Sequence, residues 1–159
     1  MFIESIILHN YRAYRGHNKT SFKPDTKNIF LVAGNNGFGK TTFLTSLVWC
    51  LYGKLMADVD DKFRRDINDA QGYKNYARQS LHKELANAVN AYEVSLEERK
   101  QIVKHGYSSE NEYIKEDSQY YVEIGLTDVF IPSIPCRTIT IRRTYDYFLD
   151  IESVEVLID

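Results

Sequence analysis

The sequence is poor in cysteine and has no long apolar segment, and each absence excludes a class of protein. Its 159 residues include two cysteines, Cys50 and Cys136, without the C-x-x-C spacing of a metal or redox site. Two cysteines are also too few for a disulfide scaffold or a zinc site. No apolar run approaches the ~20 residues of a membrane-spanning helix, and the first residues lack the basic and apolar regions of a signal peptide. We therefore expect a globular chain in the reducing cytoplasm, either one domain or a part of a larger protein.

Net charge is also low, and it is unevenly distributed along the chain. The formal net charge is −2 and the isoelectric point is about 6.1, so bulk charge does not predict nucleic-acid binding. Residues 1–50 nevertheless carry six Lys/Arg against two Asp/Glu, whereas residues 101–159 carry five against eleven. The basic first third either faces phosphates or is a solvated surface with a local imbalance, and charge alone leaves both interpretations open.

The order of predicted elements indicates an α/β fold in the first third of the chain. Residues 2–9 are β-branched and apolar enough for a strand. Residues 28–33 form a short continuous apolar run, which is typical of a strand buried on both faces. A glycine-rich break follows, and residues 41–52 then have the periodicity of a helix that Gly53 would end. The apolar side chains of this helix form two adjacent rows: Phe43, Leu47 and Leu51 in one, and Leu44, Val48 and Tyr52 in the other.

The rest of the chain divides into a helical region and a group of strands. The pattern predicts helix over residues 73–105, with a second segment capped at Ser95, and polar linker over 106–117. Alternating apolar positions in 119–159 predict three antiparallel strands with one solvated face. The predicted helix carries an apolar stripe of Ala77, Leu81, Leu85, Ala88 and Tyr92. We divide the chain into a phosphate-loop core (1–57), a helical and linker region (58–118) and antiparallel strands (119–159).

The motif with the clearest chemistry lies between the predicted strand at 28–33 and the predicted helix. Residues 34–41 spell Gly-Asn-Asn-Gly-Phe-Gly-Lys-Thr and fit the phosphate-loop pattern G-x-x-x-x-G-K-[ST] at every fixed position. Glycines let the main chain wrap triphosphate oxygens with its N–H groups, and the N-terminus of the helix adds a partial positive charge. A turn that only joined a strand to a helix would have no need of Lys-Thr at these offsets.

Three side chains after the glycines have separate predicted roles at a triphosphate. Lys40 supplies a mobile positive charge for the β- and γ-phosphates, and the Thr41 hydroxyl suits Mg²⁺, which prefers oxygen ligands. Thr42 can reach an α-phosphate oxygen. The predicted nucleotide-binding residues of the loop are Asn35, Asn36, Gly37, Phe38, Gly39, Lys40, Thr41 and Thr42, and Thr41 is the predicted metal ligand.

Other phosphate-loop classes fit the chain less well. A GTPase would carry N-K-x-D to recognise guanine, but the only Asn-Lys, at 18–19, lacks the aspartate, and the D-x-x-G at 69–72 is predicted to be a turn. An ATPase needs a second carboxylate at the end of a buried strand. The last strand is a poor source of one, because Glu155 interrupts its apolar run, and an edge or surface strand is the simpler interpretation. A small kinase would place arginines after the loop, but a late antiparallel sheet is not that design. The arginines there are Arg64, Arg65 and Arg78.

Three short segments resemble the N-terminal lobe of SMC/RecF/RecN-type ABC ATPases. They are Asn-Tyr-Arg at 10–12, the phosphate loop with Asn36 before its central glycine, and Leu-Tyr-Gly at 51–53. The strand at 137–145 is similar to the antiparallel subdomain of that family. Trp-Cys-Leu-Tyr-Gly at 49–53 is also similar to DndD-like ATPases of bacterial DNA phosphorothioation systems, which mark DNA and restrict phage. The resemblance implies an α/β fold, the ABC-type P-loop N-terminal lobe with an antiparallel β subdomain.

The resemblance also implies a function, which is the ATP-binding lobe of a DNA-associated ATPase in DNA modification, restriction or repair. In that family a C-terminal lobe supplies the signature sequence and the carboxylates that are missing here, and two heads enclose two ATP molecules. The implied partners are this C-terminal lobe, a second head, DNA and other subunits of a DNA-processing system, with ATP and Mg²⁺ as cofactors. The chain would then be a fragment with little or no hydrolysis of its own.

Several residues keep alternative interpretations beside the resemblance. Arg12 matches the arginine that the family places near the nucleotide phosphates, but a surface arginine on a basic loop is the alternative. Phe38 replaces a small residue, so its ring would narrow the mouth of the loop or contact a facing subunit. Arg142 and Arg143 either contact DNA phosphates or form a solvated strand end. Two functions of other classes also stay open: a self-contained nucleotide-binding interaction module without catalysis, and a small P-loop kinase.

Overall fold

A five-stranded antiparallel sheet organises the chain in a computed structural model that describes residues 1–23, 29–35, 37, 39–99 and 118–159. The strand order is β2-β1-β3-β4-β5, so strands from both ends of the sequence share one sheet. The strands are β1 (Phe2–Tyr11), β2 (Tyr14–Ser21), β3 (Gln119–Thr127), β4 (Thr138–Asp146) and β5 (Ile151–Ile158). The predicted first strand and the three predicted antiparallel strands are confirmed.

Alternation along the central strand β3 explains which face of the sheet carries the core. Tyr120, Val122 and Ile124 are fully buried, as the period of two predicts, and Tyr120 stacks on Tyr145 of β4. The polar strand β2 was not predicted, because its sequence has no apolar alternation. It forms because a tight turn after Tyr11 reverses the chain, which then pairs with β1. An edge strand can pair in this way while its side chains are solvated on both faces.

In the described part of the chain, four helices lie between the two groups of strands. They are α1 (Lys40–Tyr52), α2 (Asp61–Asp69), α3 (Tyr73–Arg78) and α4 (Lys83–Arg99), with a 3-10 turn (Gly53–Asp58) after α1. The predicted first helix is confirmed, and Gly53 ends it with a positive φ of 54°. Among the described residues no helix has both the length and the apolar character that crossing a bilayer requires.

The prediction of helix from residue 73, with a second segment capped at Ser95, is wrong in two places. The helix is interrupted at 79–82, where Leu81 forms a bridge with Tyr11 and the Arg12 N–H donates to the Ser80 carbonyl at 2.7 Å. These bonds tie the segment to the end of β1, so the helix does not continue through it. No new helix starts at Ser95, since α4 continues to Arg99. Of the predicted stripe, Ala77, Leu81 and Leu85 are buried, Ala88 is exposed, and the Tyr92 side chain and the linker at 106–117 lie outside the described residues.

The buried face of α1 differs from the two apolar rows that the sequence predicts. Trp49 and Cys50 are the buried apolar residues, whereas Leu44, Leu51 and Tyr52 are about half exposed. The Cys50 thiol lies 3.3 Å from the Val122 carbonyl of β3, so a small side chain at this position lets the helix approach the sheet closely. Burial raises the pKa of this thiol to about 11, against the opposing influence of Arg143. Both cysteines are free thiols, as expected.

The predicted strand at 28–33 is not formed in the part of this segment that the structure describes. Residues 29–33 have no strand pairing, and Ile29 and Leu31 are each 91% exposed. A strand buried on both faces needs neighbours on both sides, but the described sheet ends at β2 and β5 and offers none here. The segment therefore leaves apolar side chains exposed.

The turn between β4 and β5 depends on Asp150, and its ionisation should be visible in the stability of the protein. Asp150 accepts hydrogen bonds from Arg78 at 2.7 Å and from the Tyr145 hydroxyl at 2.9 Å, and Lys74 lies 3.3 Å away. Burial alone would raise the pKa of this carboxyl, but the hydrogen bonds outweigh it and lower the pKa below 3.8. A lowered native pKa stabilises the fold above the unfolded pKa, and this contribution is lost as pH falls through the native value.

Asp150→Asn should therefore destabilise the protein at neutral pH but not in acid. Asparagine tolerates the positive φ of 52° at this position, so the change removes mainly the charge. We expect a loss of about 2 kcal/mol in the free energy of unfolding at pH 7, from weakened charge-assisted hydrogen bonds. Urea unfolding at pH 7 and at about pH 2 would measure it, and an equal loss at both pH values would contradict the assignment.

Candidate nucleotide-binding site

Two glycines in left-handed conformations shape the loop before α1. Gly37 has a φ of 88°, and Gly39, the residue before the first turn of the helix, has a φ of 91°. This region of backbone conformation favours glycine, which explains the glycine at both positions. The first backbone bond of the helix runs from the Phe43 N–H to the Gly39 carbonyl at 2.8 Å. The N–H groups of the first helical turn therefore have no acceptor within the helix and point towards the loop.

Lys40 folds back over the loop. A Cβ atom built on Gly34 would lie 3.6 Å from Cγ and 3.7 Å from Cδ of Lys40, so the aliphatic part of the lysine covers this glycine. Within the described ranges, Lys40 forms no ion pair with a carboxylate. An ammonium group held over a glycine-rich loop without an internal counter-ion is available for an anionic ligand.

The other predicted loop residues differ in how accessible they are. Asn35, Gly37 and Thr41 are exposed, and Thr42 is half-buried. Asn36 and Phe38 lie outside the described residues. Thr41, in the first turn of α1, therefore presents its hydroxyl oxygen to solvent beside the loop.

Thr41 is the predicted ligand of a divalent cation. No group of three His, Cys, Asp or Glu side chains that could hold a metal occurs in the described part of the chain. A single exposed hydroxyl oxygen beside an anion-binding loop suits Mg²⁺, which takes one or two protein ligands together with substrate phosphates and water. The residues present therefore fit a metal that arrives with a nucleotide and not a metal that the protein holds alone.

Tyr14 is a contact of the loop that the sequence did not reveal. Its hydroxyl donates to the Gly39 carbonyl at 3.2 Å, and a Cβ on Gly39 would lie within 3.1–3.3 Å of the Tyr14 ring and hydroxyl. Tyr14 begins the polar strand β2, so no apolar pattern or motif marks it. The contact requires glycine at position 39 for space as well as for conformation.

Arg12 occupies a recess near the same hairpin. Its guanidinium lies over the rings of Tyr11 at 5.5 Å and Tyr76 at 5.2 Å, and its Nε donates to the Ser80 hydroxyl at 3.3 Å. The recess has a volume of about 420 Å³, and Asp66 and Asp69 also line it. Arg12 is thus an ordered, half-buried cation and not a loose surface arginine. It is two residues from Tyr14, whose hydroxyl contacts the loop.

Other sequence-predicted candidates are separated from the loop. Glu155 lies on the edge strand β5 and pairs in register with Arg142, so the last strand is the edge strand that was expected. Arg142 bonds to Glu123 at 2.7 Å, and Arg143 donates to the Cys50 carbonyl at 3.0 Å. Neither arginine is a solvated strand end. Residues 69–72 form the turn between α2 and α3, as predicted.

Comparison with protein families gives a match over most of the chain. A family model described as an AAA domain matches residues 5–144. This range includes most of β1, all of β2, the glycine-rich loop, the four described helices, β3 and most of β4. The comparison with curated proteins found no match.

Proposed function

Because the chain belongs to the AAA domain family, at the coarse level of SMC/RecF-like AAA ATPases, we propose that it is the ATP-binding lobe of a DNA-associated ATPase. The family describes an ATP-binding module of the P-loop type. One observation carries the proposal for this chain. Lys40, the first residue of α1, lies back over Gly34, and the left-handed Gly39 directly precedes it. This arrangement places a cation and free N–H groups at the same end of the helix, which favours an anionic ligand there.

The residues of the loop contribute different interactions to the binding of a triphosphate. The N–H groups of the first turn of α1 donate to phosphate oxygens, and Lys40 balances the charge of the β- and γ-phosphates. Thr41 would hold Mg²⁺, which neutralises phosphate oxygens when it is bound. Tyr14 fixes the Gly39 carbonyl, so the loop keeps its shape when the ligand is absent.

A second lobe is part of the proposal, because this chain leaves apolar surface uncovered. Ile29 and Leu31 are 91% exposed, and Leu44 and Leu51 of α1 are 54% and 47% exposed. Large apolar side chains that are this exposed are candidates for burial against a partner. We propose that the C-terminal lobe of the same ATPase covers them and that two complete heads bind ATP together.

The finer assignment to DNA modification or repair rests on the resemblance of short segments. Asn-Tyr-Arg at 10–12 and Trp-Cys-Leu-Tyr-Gly at 49–53 support an SMC-like head and a DndD-like subfamily. The structure gives these segments packing roles, since Tyr11 stacks on Trp49 at 5.8 Å. We propose DNA and other subunits of a DNA-processing system as partners of the complete protein.

A second candidate function is a nucleotide-binding interaction module without catalysis. It is favoured by the position of Glu155, the candidate for the second carboxylate, which lies on the edge strand β5 opposite Arg142. The kinase alternative has less support, because Arg78, one of its arginines, is bound to Asp150 and to the Tyr147 carbonyl. A phosphate-binding arginine would need a free guanidinium.

Titration with ATP in the presence and absence of Mg²⁺ tests the proposed function. We expect binding that Mg²⁺ strengthens, and Thr41→Ala should remove most of this strengthening while ATP without metal binds as before. Loss of one metal ligand should weaken the Mg²⁺-dependent part roughly tenfold. Isothermal titration calorimetry measures both affinities, with Thr140→Ala on β4 as a matched control.

The same samples separate the two candidate functions. An ATPase lobe should hydrolyse ATP only after its missing lobe is added, whereas an interaction module should bind ATP and remain inactive with any partner lobe. Absence of ATP binding by the chain, with or without Mg²⁺, would contradict both.

A further inference from the structure

The two edges of the sheet differ in how they are protected. The edge strand β2 is polar, carries Arg15, His17 and Lys19, and has an irregular register with β1 near His9. Charges and bulges of this kind discourage the pairing of a further strand. The opposite edge strand, β5, has continuous register with β4 and contains no proline, glycine, lysine or arginine. In the described sheet, the β2 edge is therefore protected against pairing with a further strand, and the β5 edge is not.

The hydrogen-bond pattern identifies which groups of β5 are free. Thr138 and Asp159 exchange both backbone bonds, each at 3.0 Å, so this pair is of the hydrogen-bonded type. Because the type alternates along an antiparallel ladder, Leu157 and Glu155 bond to β4 in the same way. The residues between them direct their N–H and C=O groups away from β4. These residues are Glu152, Val154, Val156 and Ile158.

Each face of β5 carries exposed apolar side chains. Val154 and Val156 are 46% and 57% exposed on the face that carries the core, and Leu157 is 58% exposed on the other. An edge that is long, regular, apolar and exposed is a template for an added strand.

The charges of β5 define the chemistry of that strand. Glu155 is directly opposite Arg142, but Arg142 is bound to Glu123, so Glu155 has no ion pair in the described residues. Across the sheet the same row reads Lys19, Ile7, Glu123, Arg142 and Glu155, in strand order. The three charges of β3, β4 and β5 thus alternate in sign, and a basic residue would continue the alternation.

A second copy of this chain is a poor occupant for the edge. In the antiparallel register that uses all four free residues, Glu155 of one copy lies directly opposite Glu155 of the other. Like charges in direct cross-strand contact are destabilising. No basic residue occurs between Asp150 and Asp159 to relieve this repulsion.

We propose that β5 accepts an extended strand from a partner protein, with alternating apolar residues and a Lys or Arg opposite Glu155. The added strand would bond to the free groups of the four residues, place its apolar side chains beside Val154, Val156 and Ile158, and pair its cation with Glu155. Main-chain bonds give the affinity and the basic residue gives the choice of partner.

The test uses the whole chain and a labelled peptide, Val-Thr-Val-Lys-Val-Thr-Val-Thr with blocked ends, whose lysine falls opposite Glu155. Its matched control carries glutamate in place of that lysine. Fluorescence anisotropy should show binding of the lysine peptide, and the glutamate peptide should bind about fivefold more weakly. Glu155→Lys, a change at an exposed position, should reverse this order of affinity.

A proline variant tests whether the backbone edge is the binding site. The N–H of Val156 points away from β4, so Val156→Pro removes an outward donor and no bond within the sheet. We expect affinity for the lysine peptide to fall at least about tenfold in Val156→Pro and to stay within about twofold in Val156→Thr. Unchanged binding by Val156→Pro, or the same peptide preference in Glu155→Lys, would overturn the proposal. Self-association of the chain that Val156→Pro abolishes would also overturn it, because the occupant would then be a second copy.

Discussion

Lys40→Ala will lower the affinity of the chain for ATP with Mg²⁺ by about a hundredfold or more. The lysine covers Gly34, and within the described residues it has no carboxylate to release when a phosphate arrives. Loss of a cation that contacts two phosphates removes at least two charge-assisted hydrogen bonds, and each factor of ten corresponds to about 1.4 kcal/mol. Isothermal titration calorimetry of both proteins measures the change.

Lys54→Ala is the matched control for this experiment. Lys54 is an exposed lysine beyond the opposite end of α1, so its loss removes the same charge without touching the loop. We expect ATP affinity within about twofold of the parent chain, because exposed charges at this distance are screened by salt. Equal losses in the two variants would mean that net charge, and not the loop, determines binding.

Gly53→Ala should destabilise the fold by about 3 kcal/mol. The glycine has a φ of 54° and a ψ of −130°, a conformation that alanine adopts only with strain. Its new Cβ would lie 2.5 Å from Nη1 and 2.8 Å from Cζ of Arg143. This guanidinium cannot move freely, because it donates to the Cys50 carbonyl and to Glu152, each at 3.0 Å. Displacing it breaks charge-assisted bonds that are largely buried.

Gly72→Ala separates backbone strain from the contact with Arg143. Gly72 also has a positive φ, of 124°, but a Cβ there would have no atom within 4 Å. Strain alone should cost about 1–2 kcal/mol at this position. Thermal unfolding should show a larger fall for Gly53→Ala, roughly 10 °C in Tm against about half of that for the control. A difference of zero would remove the role that we give to Arg143.

Local sequence signals predicted the elements whose partners are close in sequence or whose pattern repeats. The helix after the glycine-rich loop and the end of that helix at Gly53 follow from periodicity and from glycine chemistry. The alternation of Tyr120, Val122 and Ile124 predicted a half-buried strand for the same reason. In the candidate site, the motif pointed to Lys40 and Thr41 because both positions belong to a fixed pattern.

Features that depend on contacts between residues far apart in the sequence could not be predicted from it. The run at 28–33 has the composition of a buried strand, but the described residues include no strand to pair with it. Tyr14 reaches the loop only because β2 folds back along β1, and its own neighbours in sequence are polar. Trp49 and Cys50, rather than the predicted leucine rows, face the sheet because of where β3 and β4 lie relative to α1. In each case tertiary packing overrides the local pattern.

Helix α1 is fastened at both of its ends. Tyr14 holds the carbonyl before its first turn, and Arg143 holds the carbonyl of Cys50 in its last turn while also binding Glu152 on β5. This helix of 13 residues is about 20 Å long. Because both of its ends are bonded to side chains of the sheet, it cannot shift along its own axis without displacing the sheet. A displacement of the free edge of the sheet would therefore be passed to α1 through Arg143, in addition to the contact of Cys50 with β3.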